Sequence, residues 1–176
     1  MESHGTGNEA LCVQMSNNIT VDTAALDVAR SPDTLSTRGI GSCISICLYD
    51  KANRIGGLAH IMLPHNKEND KSAIGKYADT GIAELIRLMV QTGTSKEGLS
   101  AKIVGGARVL FGEQESIFSI GENNIAAVKK VLADNRIPVA AEDTGGTYGR
   151  GLVFHTATGL VEVTTLSRPS KFLLLK

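Results

Sequence analysis

Cys43 and His60 are the two residues of this sequence whose types and spacing could do covalent chemistry. Cys43 lies in an alternating, β-branched segment, Gly41 to Tyr49, and His60 lies near the end of a second such segment, Arg54 to Leu63. The polar residues between the two segments predict a turn and therefore a hairpin. A turn at Lys51-Ala52, or over Asp50 to Asn53, makes Cys43 and His60 directly opposed residues, whose Cβ atoms are about 4.5–5.5 Å apart. A thiol beside an imidazole predicts a nucleophile and its base.

The apolar pattern of the hairpin predicts the same register. Three alternate residues of the first segment, together with Ile55 and Ala59, make one apolar face: Ile44, Ile46 and Leu48. Cys43 and His60 then share the opposite face. A slip of one residue would exchange the two faces and separate the thiol from the imidazole.

The residues before Cys43 suit a reaction at a carbonyl carbon. Gly39, Gly41 and Ser42 are small, so a substrate can approach the backbone closely and N–H groups can hold an oxyanion. A third group usually orients the catalytic base. The candidates upstream of the thiol are Thr34, Ser36 and Thr37.

Other interpretations of the same residues remain open. A lone Cys in a strand is usually a small core residue, and Cys47 is interpreted that way. Cys43, Cys47 and His60 could bind zinc, but a fourth ligand at ordinary spacing is missing, so no metal site is expected. The glycine pairs Gly105-Gly106 and Gly145-Gly146 precede no Lys-Ser/Thr at P-loop spacing and are interpreted as turn or close-packing residues.

The composition narrows the classes of partner. Lys and Arg together equal Asp and Glu, and Trp is absent, so neither an electrostatic nor a stacking surface for nucleic acid is expected. No apolar run reaches the roughly 18 residues of a membrane span. The Cys count is odd and no secretion signal is present, which favours the cytoplasm.

The segment pattern predicts one layered α/β (α+β) domain, in which a mixed sheet with hairpins packs against two main helices. Residues 1–17 are interpreted as a mobile lead-in, 18–168 as the domain and 169–176 as a tail. Helices are predicted over Ser72 to Thr92 and Asn124 to Asn135. Further strands are predicted over Ala101 to Val104, Ile137 to Ala141, Leu152 to Thr156 and Leu160 to Leu166.

Five ordered motifs give the sequence a resemblance to the CheD family of chemoreceptor glutamine deamidases. The resemblance spans roughly Ile19 to Leu166. Its motifs are Thr37 to Cys43 followed by Cys47 to Asp50, Gly56 to Pro64, Lys76 to Asp79, Lys102 to Ala107, and Asp143 to Arg150.

The resemblance implies roles for three residues: Cys43 as nucleophile, His60 as general base and Thr37 as the threonine that supports the site. It implies hydrolysis of selected glutamine side chains on the cytoplasmic helices of methyl-accepting chemotaxis receptors, without cofactor or metal. It also implies a possible partner, the CheC-type phosphatase of CheY. The implied fold is similar to the deamidase core of cytotoxic necrotizing factor toxins.

The sequence departs from the family pattern at Asn123, where Arg is expected in the segment Ile120 to Asn124. Two rival functions stay open beside deamidation. One is a mainly regulatory role in which the chain docks a CheC-type phosphatase. The other is a different thiol acyl transfer, such as transglutamination or peptide cleavage.

Overall fold

The computed structural model describes residues 15–108, 115–165 and 170–173. Within these ranges, ten strands form two stacked five-stranded sheets, A and B, and two helices cover the outer face of sheet B. The strands are β1 Asn18–Thr20, β2 Leu26–Arg30, β3 Thr34–Ile40, β4 Ile44–Asp50, β5 Ile55–Ile61, β6 Leu99–Gly105, β7 Val139–Thr144, β8 Arg150–His155, β9 Leu160–Thr164 and β10 Lys171–Leu173. The helices are α1 Ala78–Gln91 and α2 Glu115–Asp134.

The two sheets are both mixed. Sheet A has the order β1-β3-β8-β9-β10, and sheet B has the order β2-β5-β4-β6-β7. In sheet A only the β1–β3 pair is parallel, and in sheet B only the β6–β7 pair is parallel, among the described strands. Strand β4 is therefore central in sheet B, with antiparallel neighbours on both sides.

Strand β4 is buried on both of its faces, which explains its almost continuous apolar sequence. Its even-numbered residues, such as Ile46, pack with α1 and α2 in one core. Its odd-numbered residues, such as Cys47 and Tyr49, pack against sheet A in a second core. The side predicted to carry the thiol and imidazole thus faces another sheet.

The predicted single mixed sheet is corrected to two sheets. Strands β1, β2 and β3 lie within residues 18–40, for which no strand was predicted, because their alternation is short and broken by polar residues. Sheet A forms from β1 and β3 together with the predicted β8–β9 hairpin. Strand β10 lies in the predicted tail and pairs with β9. The chain remains one α/β unit with two main helices.

Both helices were predicted with different starts. Helix α1 begins at Ala78 because Ile74–Lys76 form a separate short 3-10 turn, and it ends before Gly93, whose φ is +102°. Helix α2 begins before the predicted Asn124. No helix within the described ranges is long and apolar enough to cross a membrane.

Candidate active site

The β4–β5 hairpin has a register two residues away from the predicted one. Ser45, not Cys43, is directly opposed to His60, and the closing pair is Asp50 with Ile55. The four-residue loop, 51–54, is centred one residue later than predicted, and the Asp50 carboxylate at its start accepts hydrogen bonds from the Asn53 backbone N–H at 3.1 Å and side-chain Nδ2 at 2.8 Å. A shift of two residues preserves the two faces, so the predicted apolar face is retained.

Cys43 lies just before β4 rather than inside it, and its residue is half-buried. Its carbonyl oxygen accepts a hydrogen bond of 2.7 Å from the N–H of Gly106. The preceding glycine, Gly105, has a φ of +121°, and a Cβ at that position would lie 2.4 Å from the Cys43 oxygen. A side chain at Gly105 would therefore displace the segment that carries the thiol.

His60 is fully buried on β5, between the two sheets. Its Nδ1 lies 2.8 Å from the hydroxyl oxygen of Thr37, which belongs to β3 of sheet A. Its Nε2 has no hydrogen-bond partner among the described residues. The ring is thus held from one nitrogen and leaves the other available.

Thr34 and Ser36 are directed elsewhere. The Thr34 hydroxyl contacts Asn18 Oδ1 at 3.0 Å, and Ser36 Oγ accepts a hydrogen bond of 3.0 Å from Asn18 Nδ2. Of the three hydroxyl residues considered in the sequence, Thr37 is the one in contact with the imidazole.

Ser45 is a polar residue of this region that the sequence analysis did not select as functional. It is fully buried, and its hydroxyl has no partner within the described parts of the chain. The backbone N–H and C=O of His60 bond to Ala25 and Ala24 of the β2 side, so Ser45 and His60 form a non-hydrogen-bonded pair, the closer type. The correct hairpin register would have revealed this pair.

Three glycine-containing segments meet around Cys43. The Gly41 carbonyl accepts a hydrogen bond of 2.8 Å from the N–H of Ala107, next to the Gly105-Gly106 pair. The Gly105 carbonyl in turn accepts one of 2.9 Å from Gly145. Gly105 is the last residue of β6, so the contacts of the two glycine pairs fit the close-packing role better than a turn role.

Burial favours the neutral form of both candidate catalytic groups. It raises the pKa of the Cys43 thiol, although a backbone N–H hydrogen bond at Cys43 opposes the effect. Burial also lowers the pKa of His60. The free site therefore favours a neutral thiol and a neutral imidazole.

Cys47 belongs to the core between the sheets. It is 1% exposed, and burial strongly raises the pKa of its thiol. The neighbouring Lys102 is also buried, and its ammonium donates hydrogen bonds to the carbonyls of Gly159 and, at 2.8 Å, Leu173. Among the described residues, no group of His, Cys, Asp and Glu is arranged to hold a metal ion.

The arrangement can support acyl transfer through a thiol. His60 Nε2 makes no hydrogen bond to the Cys43 thiol within the described residues, but an imidazole with an unpaired Nε2 can take the proton of a nucleophile that reaches it and return that proton to a leaving group. The N–H groups of Ser42 and Cys43 donate to no backbone carbonyl in the described part of the chain, so they are candidate donors to an oxyanion.

Comparisons with known proteins identify the family of the chain. Residues 62–165 match the family model of CheD, described as chemotactic sensory transduction. Three relatives bear the name probable chemoreceptor glutamine deamidase CheD. The Moorella thermoacetica protein is 43% identical, over 87% of this chain and 93% of its own length. The Clostridium novyi protein is 45% identical, over 85% of this chain and 94% of its own length. The Syntrophomonas wolfei protein is 43% identical, over 90% and 100%.

The chain belongs to the CheD family. Two solved structures are more distant. Bacillus licheniformis protein YfiH is 12% identical, over 62% of this chain and 45% of its own, with a TM-score of 0.36. Neisseria meningitidis protein NMB0706 is 11% identical, over 76% and 64%, with a TM-score of 0.42. Both likenesses are too weak to assign a fold or a function to this CheD protein.

Proposed function

We propose that this CheD protein deamidates selected glutamine side chains of methyl-accepting chemotaxis receptors, with Cys43 as nucleophile, His60 as base and Thr37 as the residue that orients the base. The observation that carries the proposal is the buried imidazole of His60, bonded at Nδ1 to Thr37 and unpaired at Nε2. Its relatives carry the name of chemoreceptor glutamine deamidase.

The first half of the reaction forms a thioester. His60 Nε2 takes the proton of the Cys43 thiol as the sulfur attacks the amide carbon of the glutamine side chain. The carbonyl electrons move to oxygen and make an oxyanion. When the C–N bond breaks, the imidazolium gives its proton to the departing nitrogen, and ammonia leaves.

Neutral resting groups suit this sequence of steps. A thiol with a raised pKa is a poor nucleophile until its proton moves, so proton transfer to the imidazole accompanies attack. An imidazole with a lowered pKa remains a free base at neutral pH. The same lowered pKa makes its conjugate acid a good proton donor to the leaving nitrogen.

The second half of the reaction releases glutamate. Water loses a proton to His60 and attacks the thioester carbon, and the C–S bond breaks. The sulfur regains a proton from the imidazolium, which restores the free site. No oxidant, metal or cofactor takes part in either half.

A competition between water and an amine tests the reaction class. Incubation of a receptor cytoplasmic fragment with the protein and a primary amine should release ammonia and give glutamate. Incorporation of the amine into the receptor would instead support a transglutaminase, and shortened receptor chains would support a peptidase. The same assay with Cys43→Ala should release no ammonia.

The finer features that the family resemblance implies enter as part of the proposal. We place the protein in the cytoplasm, where its receptor segments lie, and keep a CheC-type phosphatase as a proposed partner. The similarity of the fold to the deamidase core of cytotoxic necrotizing factor toxins also stays a prediction. Pull-down of a CheC-type phosphatase by Cys43→Ala protein separates binding from catalysis.

A further inference from the structure

Asn124 on helix α2 touches the backbone on both sides of the candidate site. Its side-chain Nδ2 donates hydrogen bonds of 2.9 Å to the carbonyl of Ser42 and 2.9 Å to the carbonyl of Met62. Ser42 immediately precedes Cys43, and Met62 follows His60 by two residues. Because both partners are carbonyl oxygens, the atom between them must be the amide nitrogen, which is the donor of an Asn side chain.

Helix α2 packs closely on the thiol segment around Asn124. The residue is fully buried, and its Oδ1 has no partner among the described residues. One helical turn earlier, Gly121 packs so closely on the Gly106 loop that a Cβ there would lie 2.6 Å from the Gly106 oxygen. Gly106 in turn donates to the Cys43 carbonyl. One face of α2 therefore supports the thiol segment at two points.

The bond to Ser42 has a consequence for Cys43. The Ser42 carbonyl and the Cys43 N–H belong to one planar trans peptide group, in which they point in opposite directions. Holding the carbonyl toward α2 directs the N–H away from α2.

We propose that Asn124 is a positioning residue that sets the orientation of the Ser42–Cys43 peptide and so aims the Cys43 N–H at the oxyanion formed during acyl transfer. The inference rests on the proposed function, since it assumes that Cys43 attacks a carbonyl. Asn124 contacts no reacting atom. It acts through the peptide plane, and its second bond, to Met62, ties that plane to the segment that follows His60.

The test compares Asn124→Ala and Asn124→Asp with Asn135→Ala. Asn135 is a matched control, because it lies just beyond the end of the same helix and its Nδ2 donates a 2.8 Å hydrogen bond to the Val131 carbonyl. Deamidation kinetics, melting temperature and the pH profile of Cys43 alkylation by iodoacetamide are measured for each. The sulfur attacks a saturated carbon of iodoacetamide, so no oxyanion forms. The alkylation rate reached at high pH, where the thiol is fully ionised, is the limiting rate, and it depends only on access to the sulfur.

In Asn124→Ala, kcat should fall by about tenfold or more, and KM should not change. The fall should be smaller than the roughly 10²–10³-fold loss that follows removal of an oxyanion donor, because the Cys43 N–H is misdirected and not removed. The limiting alkylation rate should stay within about twofold of the native rate, because the sulfur stays accessible. Asn135→Ala should keep its kcat. In Asn124→Asp, kcat relative to the native protein should recover as the pH falls, because a protonated carboxyl can again donate to one carbonyl.

Two results would overturn the inference. One is a kcat for Asn124→Ala equal to that of the control at comparable stability. The other is a limiting alkylation rate that falls in step with kcat, which would mean that the whole thiol segment is displaced. If Asn124→Ala does not fold, the pH recovery of the isosteric Asn124→Asp decides. Loss of the inference leaves the proposed function intact, whereas an active Cys43→Ala would contradict the proposed function itself.

Discussion

The Thr37 hydroxyl oxygen lies 2.8 Å from His60 Nδ1, and this bond joins sheet A to sheet B at the imidazole. If Nδ1 carries the proton and donates to Thr37, then Nε2 holds the lone pair that a general base needs. The opposite tautomer would place a proton on Nε2 and leave no base. The proposed chemistry therefore requires Thr37 to act as the acceptor in this bond.

Thr37→Ala should lower kcat without a large decrease in melting temperature. Loss of a hydrogen bond worth about 1 kcal/mol, with some loss of the useful tautomer, should lower kcat by about tenfold. Thr37→Ser keeps the hydroxyl and should retain most of the activity. Steady-state kinetics and melting temperature, measured together, check this. Full activity of Thr37→Ala at unchanged stability would assign the orienting role to another residue.

Cys43→Ala and Cys47→Ala should have opposite effects. Cys43 is half-buried outside the strand, so its truncation should abolish ammonia release at little cost in stability. Cys47 fills part of the core between the sheets, so its truncation should cost on the order of 1 kcal/mol, as a small core deletion does, and leave the rate largely intact. Chemical denaturation and an ammonia assay measure the two effects. An inactive Cys47→Ala beside an active Cys43→Ala would mean that the nucleophile is misassigned.

The activity should persist into mildly acidic solution. Burial lowers the pKa of His60 from its ordinary 6.5, so the imidazole stays a neutral base to a lower pH than a free histidine would. The acid side of the profile of kcat/KM should be half-maximal below pH 6.5. A midpoint clearly above that value would indicate that a neighbouring negative charge, and not burial, governs the imidazole.

The free energy of unfolding should also decrease as the solution becomes mildly acidic. The unfolded chain binds a proton on His60 near its ordinary pKa of 6.5, while the folded chain, with a lowered pKa, does not. The contribution of His60 to stability is therefore complete above pH 6.5 and is lost as the pH falls toward the folded pKa. The slope there should approach about 1.4 kcal/mol per pH unit and disappear in His60→Gln.

His65→Gln provides the control for that measurement. His65 is exposed and lies 3.6 Å from the Asp79 carboxylate, away from the buried site. Denaturation is measured at several pH values between neutral and mildly acid. The change of the free energy of unfolding with pH should be the same in this variant as in the native protein. Equal slopes in the native protein and in His60→Gln would show that the buried imidazole does not govern the acid response.

The sequence predicted the central elements because their apolar patterns are long and regular. Strands β4 and β5 and the β8–β9 hairpin occur where the periodicity indicates, and both helices occur there with different starts. The predicted hairpin register was wrong because the loop is centred one residue later than expected, where the Asp50 carboxylate binds Asn53. Sheet A was missed in part because short edge strands such as β1 take their stability from tertiary pairing rather than local pattern.

The candidate site was predictable only in part for a related reason. Residue type and spacing suggested Cys43 and His60, and the family resemblance suggested Thr37, whose hydroxyl contacts the imidazole. Ser45 could not be chosen without the register. Asn124 could not be chosen at all, because it reaches the thiol segment across 82 positions of sequence. Such contacts depend on how α2 docks, which no local pattern encodes.

Intact-mass analysis of a receptor cytoplasmic fragment tests the central claim most directly. The fragment is incubated with the native protein, with Cys43→Ala and with Cys47→Ala, and peptide mapping then locates any change. The proposal predicts the mass change of amide-to-acid conversion at particular glutamines with the native protein and Cys47→Ala, and none with Cys43→Ala. The proposal would be contradicted if the fragment stayed unchanged with the native protein and Cys47→Ala. It would also be contradicted if Cys43→Ala converted as much of the fragment as the native protein does.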